Sequence, residues 1–315
     1  MKLQTCIPLQ PELHQIDYDS QILMMGSCFT ENIGERITYY KFQALVNSFG
    51  IVFHPLAIEK LVTRAINEGF YTEVDLIFQN EQWHCFEVHS SLSSDNKEVF
   101  LTGLNDRLNQ LREYLLTATH IIFTYGTAWT YRHIETDAVV ANCHKLPQTF
   151  FLKELLSVEE ISASIEKMII LIKGVNPQVK LIHTISPVRH LKDGFVENSI
   201  SKAHLIAGLQ ELIAPRNRVY YFPAYEIMMD ELRDYRFYNE DMVHPNKTGI
   251  SIIWDYFKRV WIASETEELQ KEIAIIQSGL LHRPFNPKSA AHQAFLKDLE
   301  RRIVSIQLRH PTIKF

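Results

Sequence analysis

The 315 residues carry 46% hydrophobic side chains, a formal net charge of −5 and a pI near 6.3. That is enough apolar material for one large domain, or one domain with an extension, and the net negative charge repels a phosphate backbone, so nucleic acid is not expected as a partner. No apolar stretch approaches the roughly 20 residues of a membrane span. The opening MKLQTCIPLQPELHQIDYD lacks the apolar core and cleavage site of a secretion signal, so a cytoplasmic protein with no membrane partner is expected.

In chain order, short apolar runs alternate with amphipathic stretches of helical length, the pattern of a parallel α/β sheet. Ile22–Met25 is a short buried strand stopped by Gly26, and helical sequence follows from about Thr30 to Tyr40. A second strand around Phe42–Val46 runs into NSFG. Pro55 then sits where a first-turn proline belongs, ahead of LAIEKLVTRAINEG. Residues 70–95 break the alternation and read as an inserted hairpin about Gln79–Gln82. A helix over about Val99–Leu116 leads to the strand THIIFTYG, and TYRHIETDAVVANCHK reads as a second inserted hairpin. Helices at about Val158–Lys173 and Ile200–Ile213 precede the strands VKLIHTISP and RVYYFP. Pro223–Leu232 is a short helix, and the loop DMVHPN opens a helix over about Lys247–Trp261.

Residues 263–315 are charged and helix-forming, with two apolar stripes and a break at RPFNP. The expected organisation is therefore a domain over 1–262 and a helical C-terminal extension over 263–315. Ile273, Ile275, Ile276, Leu280 and Leu281 are expected to be buried on one side of that extension, which could pack on the domain or join two copies as a homo-oligomer. The cysteines Cys6, Cys28, Cys85 and Cys143 show no CxxC spacing and are expected to be free thiols.

Two segments carry chemistry. In MGSCFTEN, a turn directly after the first strand of a parallel sheet lies at the carboxyl edge, where such folds place ligands. Ser27 and Cys28 there begin a helix whose free N–H groups and dipole favour a thiolate or an oxyanion. The alternative is that Ser27 merely caps the helix and Cys28 is a small core residue. In DMVHPN, Asp241 and His244 are three apart, so the carboxylate can accept the imidazole Nδ1–H and leave Nε2 as a base. The alternative there is a capped turn with a surface histidine. His89, Cys143, His144, His183 and His190 match no zinc spacing, and neither metal nor cofactor is expected.

MGSCFTEN, followed in order by NSFGIVFHP, YGTAW, NCHKLP, SPVRHLKDG and DMVHPN, resembles the GSCFA-domain family over most of residues 20–260. That family is similar to the SGNH (GDSL-like) hydrolases. The resemblance implies a three-layer α/β/α sandwich with a parallel SGNH/flavodoxin-like sheet of about five strands, decorated by the two hairpins and followed by the helical extension. It also implies a site residue by residue. Gly26-Ser27-Cys28-Phe29-Thr30 stands where that superfamily has G-D-S-L-T. Aligned without a gap, Cys28 takes the nucleophile position and Ser27 the aspartate position, with Ser27 as the alternative nucleophile. His244 is the base and Asp241 orients it. Gly50, in the turn that starts at Asn47, takes the place of the oxyanion-hole glycine. The third block, normally G-x-N-D, reads Gly126-Thr127-Ala128-Trp129, and alanine cannot donate to an oxyanion. Thr127, Asn142 and His144 are the nearest replacements in sequence, and Arg189 is a candidate for holding an anionic substrate group.

Two functions follow. One is hydrolysis or transfer of an acyl ester or thioester, on a small molecule or a sugar, through a covalent Cys28 or Ser27 intermediate. The other is a non-catalytic binding or assembly module that keeps the fold.

Overall fold

The computed structural model describes residues 4–315. The chain opens with β1 (Gln21–Gly26), α1 (Cys28–Tyr39), β2 (Gln43–Val46) and α2 (Pro55–Ile66), the last with Pro55 in its first turn. Two short strands follow, β3 (Ile77–Gln79) and β4 (Gln82–His84), then α3 (Lys97–Thr117), capped by the Asn96 side chain, and β5 (His120–Tyr125). Next come β6 (Trp129–His133), β7 (Ala138–Val140), β8 (Phe151–Leu155) and α4 (Val158–Val175), whose Ser157 and Glu160 form a capping box. β9 (Lys180–Ile185), α5 (Phe195–Gln210) and β10 (Val219–Tyr221) complete the alternation. The one-turn α6 (Ala224–Glu226) runs into a π turn, and α7 (Lys247–Trp261), α8 (Glu267–Leu280) and α9 (Ala290–Arg309) end the chain. No described helix is long and apolar enough to cross a membrane.

The five apolar runs form one wholly parallel sheet in the order β10-β9-β5-β1-β2. Side chains alternate across it. Leu23, Met25, Ile121, Phe123, Tyr125, Leu181 and Ile185 face a core shared with α2, α3, α4 and α5. Ile22, Met24, Ile122, Ile182 and Tyr220 face a second core shared with α1 and α7. Both faces are covered, which gives three layers and explains why these strands read as unbroken apolar runs. The chain steps from β1 outward to β2, then returns to the other side of β1 for β5. The crevice of an open sheet lies where the strand order reverses in this way, and the turn at Gly26-Ser27-Cys28 sits there.

Gly26 is required at that turn. Its φ is +149°, and a Cβ would stand 2.3 Å from the Thr124 carbonyl oxygen on β5.

The insertions are larger than two hairpins. β3 and β4 pair as expected, but β6 pairs with both β7 and β8 in a three-stranded antiparallel sheet. The β8 sequence FLKEL is short and half-polar, so its strand character depends on β6 as neighbour. Arg64 of α2 holds the first insertion, binding Glu87 with two donors at 2.8 and 2.9 Å and Asp75 at 2.9 Å. His54 holds the second: Nδ1 accepts the Ala57 N–H and Nε2 donates to the Val140 carbonyl at 3.0 Å. Burial pushes the His54 imidazole down to about 4, so it stays neutral in this role.

The C-terminal helices add Leu269, Ile273, Ile276 and Ile306 to the core under α1 and α7. The expectation that Ile275, Leu280 and Leu281 share this face does not hold, since all three are exposed. At 100° per residue, Ile275 lies about 200° from Ile273, and the last turn of α8 runs past the core that buries Ile276. Ile276→Ala is therefore expected to cost about 2–4 kcal/mol. Ile275→Ala should stay within about 0.5 kcal/mol. Urea denaturation of the two variants checks the difference.

Candidate active site

Ser27 stands at the N-cap of α1. It is 2% exposed, its N–H donates to the Thr124 carbonyl at 3.1 Å, and its Oγ accepts the Phe29 N–H at 3.3 Å. These bonds use the serine as a cap. Cys28 is the first helical residue and is partly exposed. Its thiol sits above the ordinary cysteine value. Burial is the largest cause and Glu31 adds to it, against the Phe29 and Cys28 N–H groups and the Lys202 cation. Desolvation of the sulfur thus outweighs the help that the helix N-terminus gives a thiolate.

At the other end of the chain, the Asp241 loop is built around its histidine. Asp241 Oδ1 accepts the Val243 and His244 N–H groups at 2.9 and 3.0 Å, and Oδ2 lies 2.7 Å from His244 Nδ1. Those backbone donors, followed by the imidazole, hold the carboxyl down to about 2. With Nδ1 facing a carboxylate, the favoured tautomer leaves His244 Nε2 as the available base. Asn246 caps α7 with Oδ1 and donates from Nδ2 to the carbonyls of Arg236 and Tyr238, which fixes the loop to the helix.

The loop after β9 ties this end to the sheet edge. Arg189 donates to the Met242 carbonyl and its guanidinium lies 5.0 Å from the Tyr238 ring centre. The arginine expected to hold a substrate anion is thus engaged with the Asp241 loop. His190 follows it. A side chain at Gly126 would meet His190 Nε2 at 3.1 Å, and the Phe53 ring stands 5.3 Å away. Burial and the Lys202 cation push His190 down to about 4, with His244 adding to the effect.

The remaining candidates divide. Asn47 accepts the Gly26 N–H on Oδ1 at 2.9 Å, and its Nδ2 is shut off from solvent with no hydrogen-bond acceptor among the described residues. Gly50 adopts φ +72° against the His89 side chain, and its N–H donates to the Asn47 carbonyl at 2.7 Å, inside its own turn. Thr127 bonds Ser201 Oγ at 2.9 Å and accepts the Trp129 N–H. Asn142 Oδ1 accepts the His144 N–H, and His144 Nε2 donates to the Cys85 carbonyl at 2.7 Å. These last three are bound into the insertions and their supports. His244 bonds Asp241 and Asn239, and none of its described hydrogen bonds reaches Cys28. Among the described residues, no three His, Cys, Asp or Glu side chains gather as metal ligands.

Sequence reading missed Lys202. It is fully buried on α5, in the stripe Lys202-Leu205-Leu209 that faces the sheet. A lysine at an apolar position of a helical period was the available signal.

Comparison with family models matches residues 21–257 to the GSCFA family and residues 273–315 to the GSCFA domain protein, C-terminal domain. Comparison with curated proteins returns no match.

Proposed function

The chain belongs to the GSCFA family, and from that premise we propose that it is an SGNH-type hydrolase or acyltransferase acting on an acyl ester or thioester, borne by a small molecule or a sugar. The observation that carries this reading is the Asp241–His244 pair, oriented at 2.7 Å, on a loop that Arg189 links to the edge where Cys28 opens α1.

In this reading Cys28 Sγ attacks the acyl carbonyl. As the sulfur–carbon bond forms, the thiol proton passes to His244 Nε2, and the imidazolium gives it to the alcohol or thiol as that group leaves, so that a thioester remains on the enzyme. His244 Nε2 then takes a proton from water or from an acceptor hydroxyl, which attacks the thioester carbonyl. The imidazolium returns that proton to the departing sulfur. Asp241 supports the imidazolium while it exists. Ser27 is the cap and not the nucleophile, because its Oγ is buried against the Phe29 N–H.

The oxyanion requires donors, and Ala128 supplies none from its side chain. The Cys28 N–H at the helix end is one. We assign the second to Asn47 Nδ2, whose partner oxygen is already held by Gly26 and which must be uncovered as substrate enters, since it is closed to solvent at rest. Asn47→Asp keeps an acceptor for Gly26 and removes the donor. It is expected to lower kcat by about 10²–10³. A wild-type kcat in Asn47→Asp would limit Asn47 to shaping the turn.

The test is a panel of acyl esters and thioesters, with wild type beside Cys28→Ala. Turnover of at least one class, lost in the variant, is the expected result. A second reading, a binding or assembly module, is favoured by Ala128, which stands where an oxyanion donor is expected, and by a His244 whose described hydrogen bonds do not reach Cys28. It requires that no ester or thioester be turned over.

A further inference from the structure

Between α6 and the Asp241 loop the chain forms an open cleft of about 350 Å³ against the loop after β9. Arg189, Met228, Arg233, Asp234, Tyr235 and Tyr238 line it. Small-molecule sites usually offer about 300–1,000 Å³, so the cleft is large enough for one. It backs onto the loop that carries the proposed base. Tyr238 pairs with Pro245 in an antiparallel bridge, and the Asn239 N–H donates to the His244 carbonyl at 2.8 Å. Arg189 closes the other side by donating to the Met242 carbonyl.

The charge in this cleft is unbalanced. Arg189 is half-buried, yet no carboxylate pairs with it among the described residues. Its partners are a neutral carbonyl and the Tyr238 ring, whose centre is 5.0 Å from the guanidinium. Its Nε is shut off from solvent and has no acceptor among the described residues. A charge drawn out of water without a counter-charge is costly, and an incoming anion relieves that cost. Arg233 is exposed and makes no ion pair among the described residues. The one carboxylate of the lining, Asp234, is already taken by Arg236. Its Oδ2 lies 3.2 Å from that guanidinium, and its Oδ1 accepts the Arg236 N–H at 2.9 Å. Two guanidinium groups are left without an anion, in a chain whose formal net charge is −5. The sign of the cleft is thus opposite to that of the molecule.

We infer that this cleft binds an oxyanion, a carboxylate or a phosphate, carried on the alcohol half of the substrate, with Arg189 and Arg233 as its cationic contacts. The choice of ligand rests on the acyl-ester reading of the site. A guanidinium presents five N–H donors in a planar fork that fits either oxyanion, and the Met242 carbonyl engages one Arg189 nitrogen. The Tyr235 and Tyr238 rings, 6.1 Å apart and inclined at 50°, add an apolar wall with polar tips, which suits the C–H face and hydroxyls of a sugar. The alcohol is thereby held beside the loop whose His244 returns the proton to the leaving oxygen.

The experiment is isothermal titration calorimetry at fixed ionic strength with glucose-6-phosphate, glucuronate and glucose. The proteins are wild type, Arg233→Gln and Arg216→Gln. Arg233 is exposed, so its replacement leaves the fold intact. Arg216 is an exposed arginine before β10, at the opposite end of the sheet, and controls for overall charge. In wild type and Arg216→Gln, at least one anionic sugar is expected to bind about tenfold or more tighter than glucose, as one charge-assisted hydrogen bond allows. In Arg233→Gln that preference should be lost. A preference for the phosphate or for the carboxylate names the group. Equal binding of glucose and both anions by wild type overturns the inference. So does a preference that survives in Arg233→Gln or disappears equally in Arg216→Gln. The two proposals fail separately. Arg233-dependent binding without turnover of any ester removes the acyl-transfer reading and leaves the anion site. Cys28-dependent turnover without the anion preference removes the anion site alone.

Discussion

Cys28→Ala is expected to reduce acyl-ester turnover by at least about 10³-fold, because a covalent route cannot be kept without its nucleophile. The fold should survive the change. Cys28 occupies the first position of α1, where the helix is started by the Ser27 cap and the Gly26 turn and not by the thiol. Ser27→Ala gives the opposite pattern. It removes a cap, expected to cost about 1 kcal/mol of stability, and it leaves the sulfur and the histidine in place, so most of the turnover should remain. Steady-state rates and urea midpoints on the two variants separate the roles. Loss of turnover in Ser27→Ala with little loss in Cys28→Ala would exchange them.

His244→Ala is expected to lower turnover by about 10²–10⁴, the usual contribution of a positioned acid–base group. The loss should fall on both half-reactions and most on the second, where water must be activated, so an acyl-enzyme formed from an activated ester accumulates. Asp241→Asn should lose turnover in the same direction while the loop keeps its shape, since an amide oxygen can still accept the Val243 and His244 N–H groups. The pH dependence of Asp241 itself has a defined sign. Its carboxyl is depressed from an ordinary value of 3.8 to about 2, first by those backbone donors. Its contribution is therefore complete above the ordinary value and is lost only as pH falls through about 2. Because both side chains are about half exposed, the effect on global stability is small. Activity lost on acidification between neutrality and about pH 4 must then come from another group. Rate profiles of wild type and Asp241→Asn test this, and a limb shared by both is the expected result.

The sheet was legible because its strands are buried on both faces. ILMM and IIF are the unbroken apolar runs of β1 and β5, and a parallel sheet covered by helices favours such runs. The two segments of the proposed site were legible as local structure: a glycine turn with a cap, and a carboxylate three residues before a histidine. The placement of β8 was not legible, since FLKEL becomes a strand only beside β6. The far side of α8 was misjudged where apolar residues fell off the buried stripe, at Ile275 and beyond the core at Leu281. Arg189 was read as a substrate ligand because a loop arginine at the carboxyl edge has the right charge. Its bond to the Met242 carbonyl, 53 residues away in sequence, left no trace in that reading. Lys202 escaped for the same reason. Its two acceptors are backbone carbonyls 76 and 16 residues distant, and backbone acceptors leave no trace in side-chain spacing.

The central claim, that Cys28 carries the acyl group, is tested most directly by trapping. His244→Ala is mixed with an activated acetyl ester, and the digested protein is read by mass. The account predicts one acetyl group on the Cys28 peptide, formed ahead of any on the exposed Cys6 and absent from the Cys28→Ala double variant. Acetylation of Ser27, or of Cys6 in preference to Cys28, would contradict it.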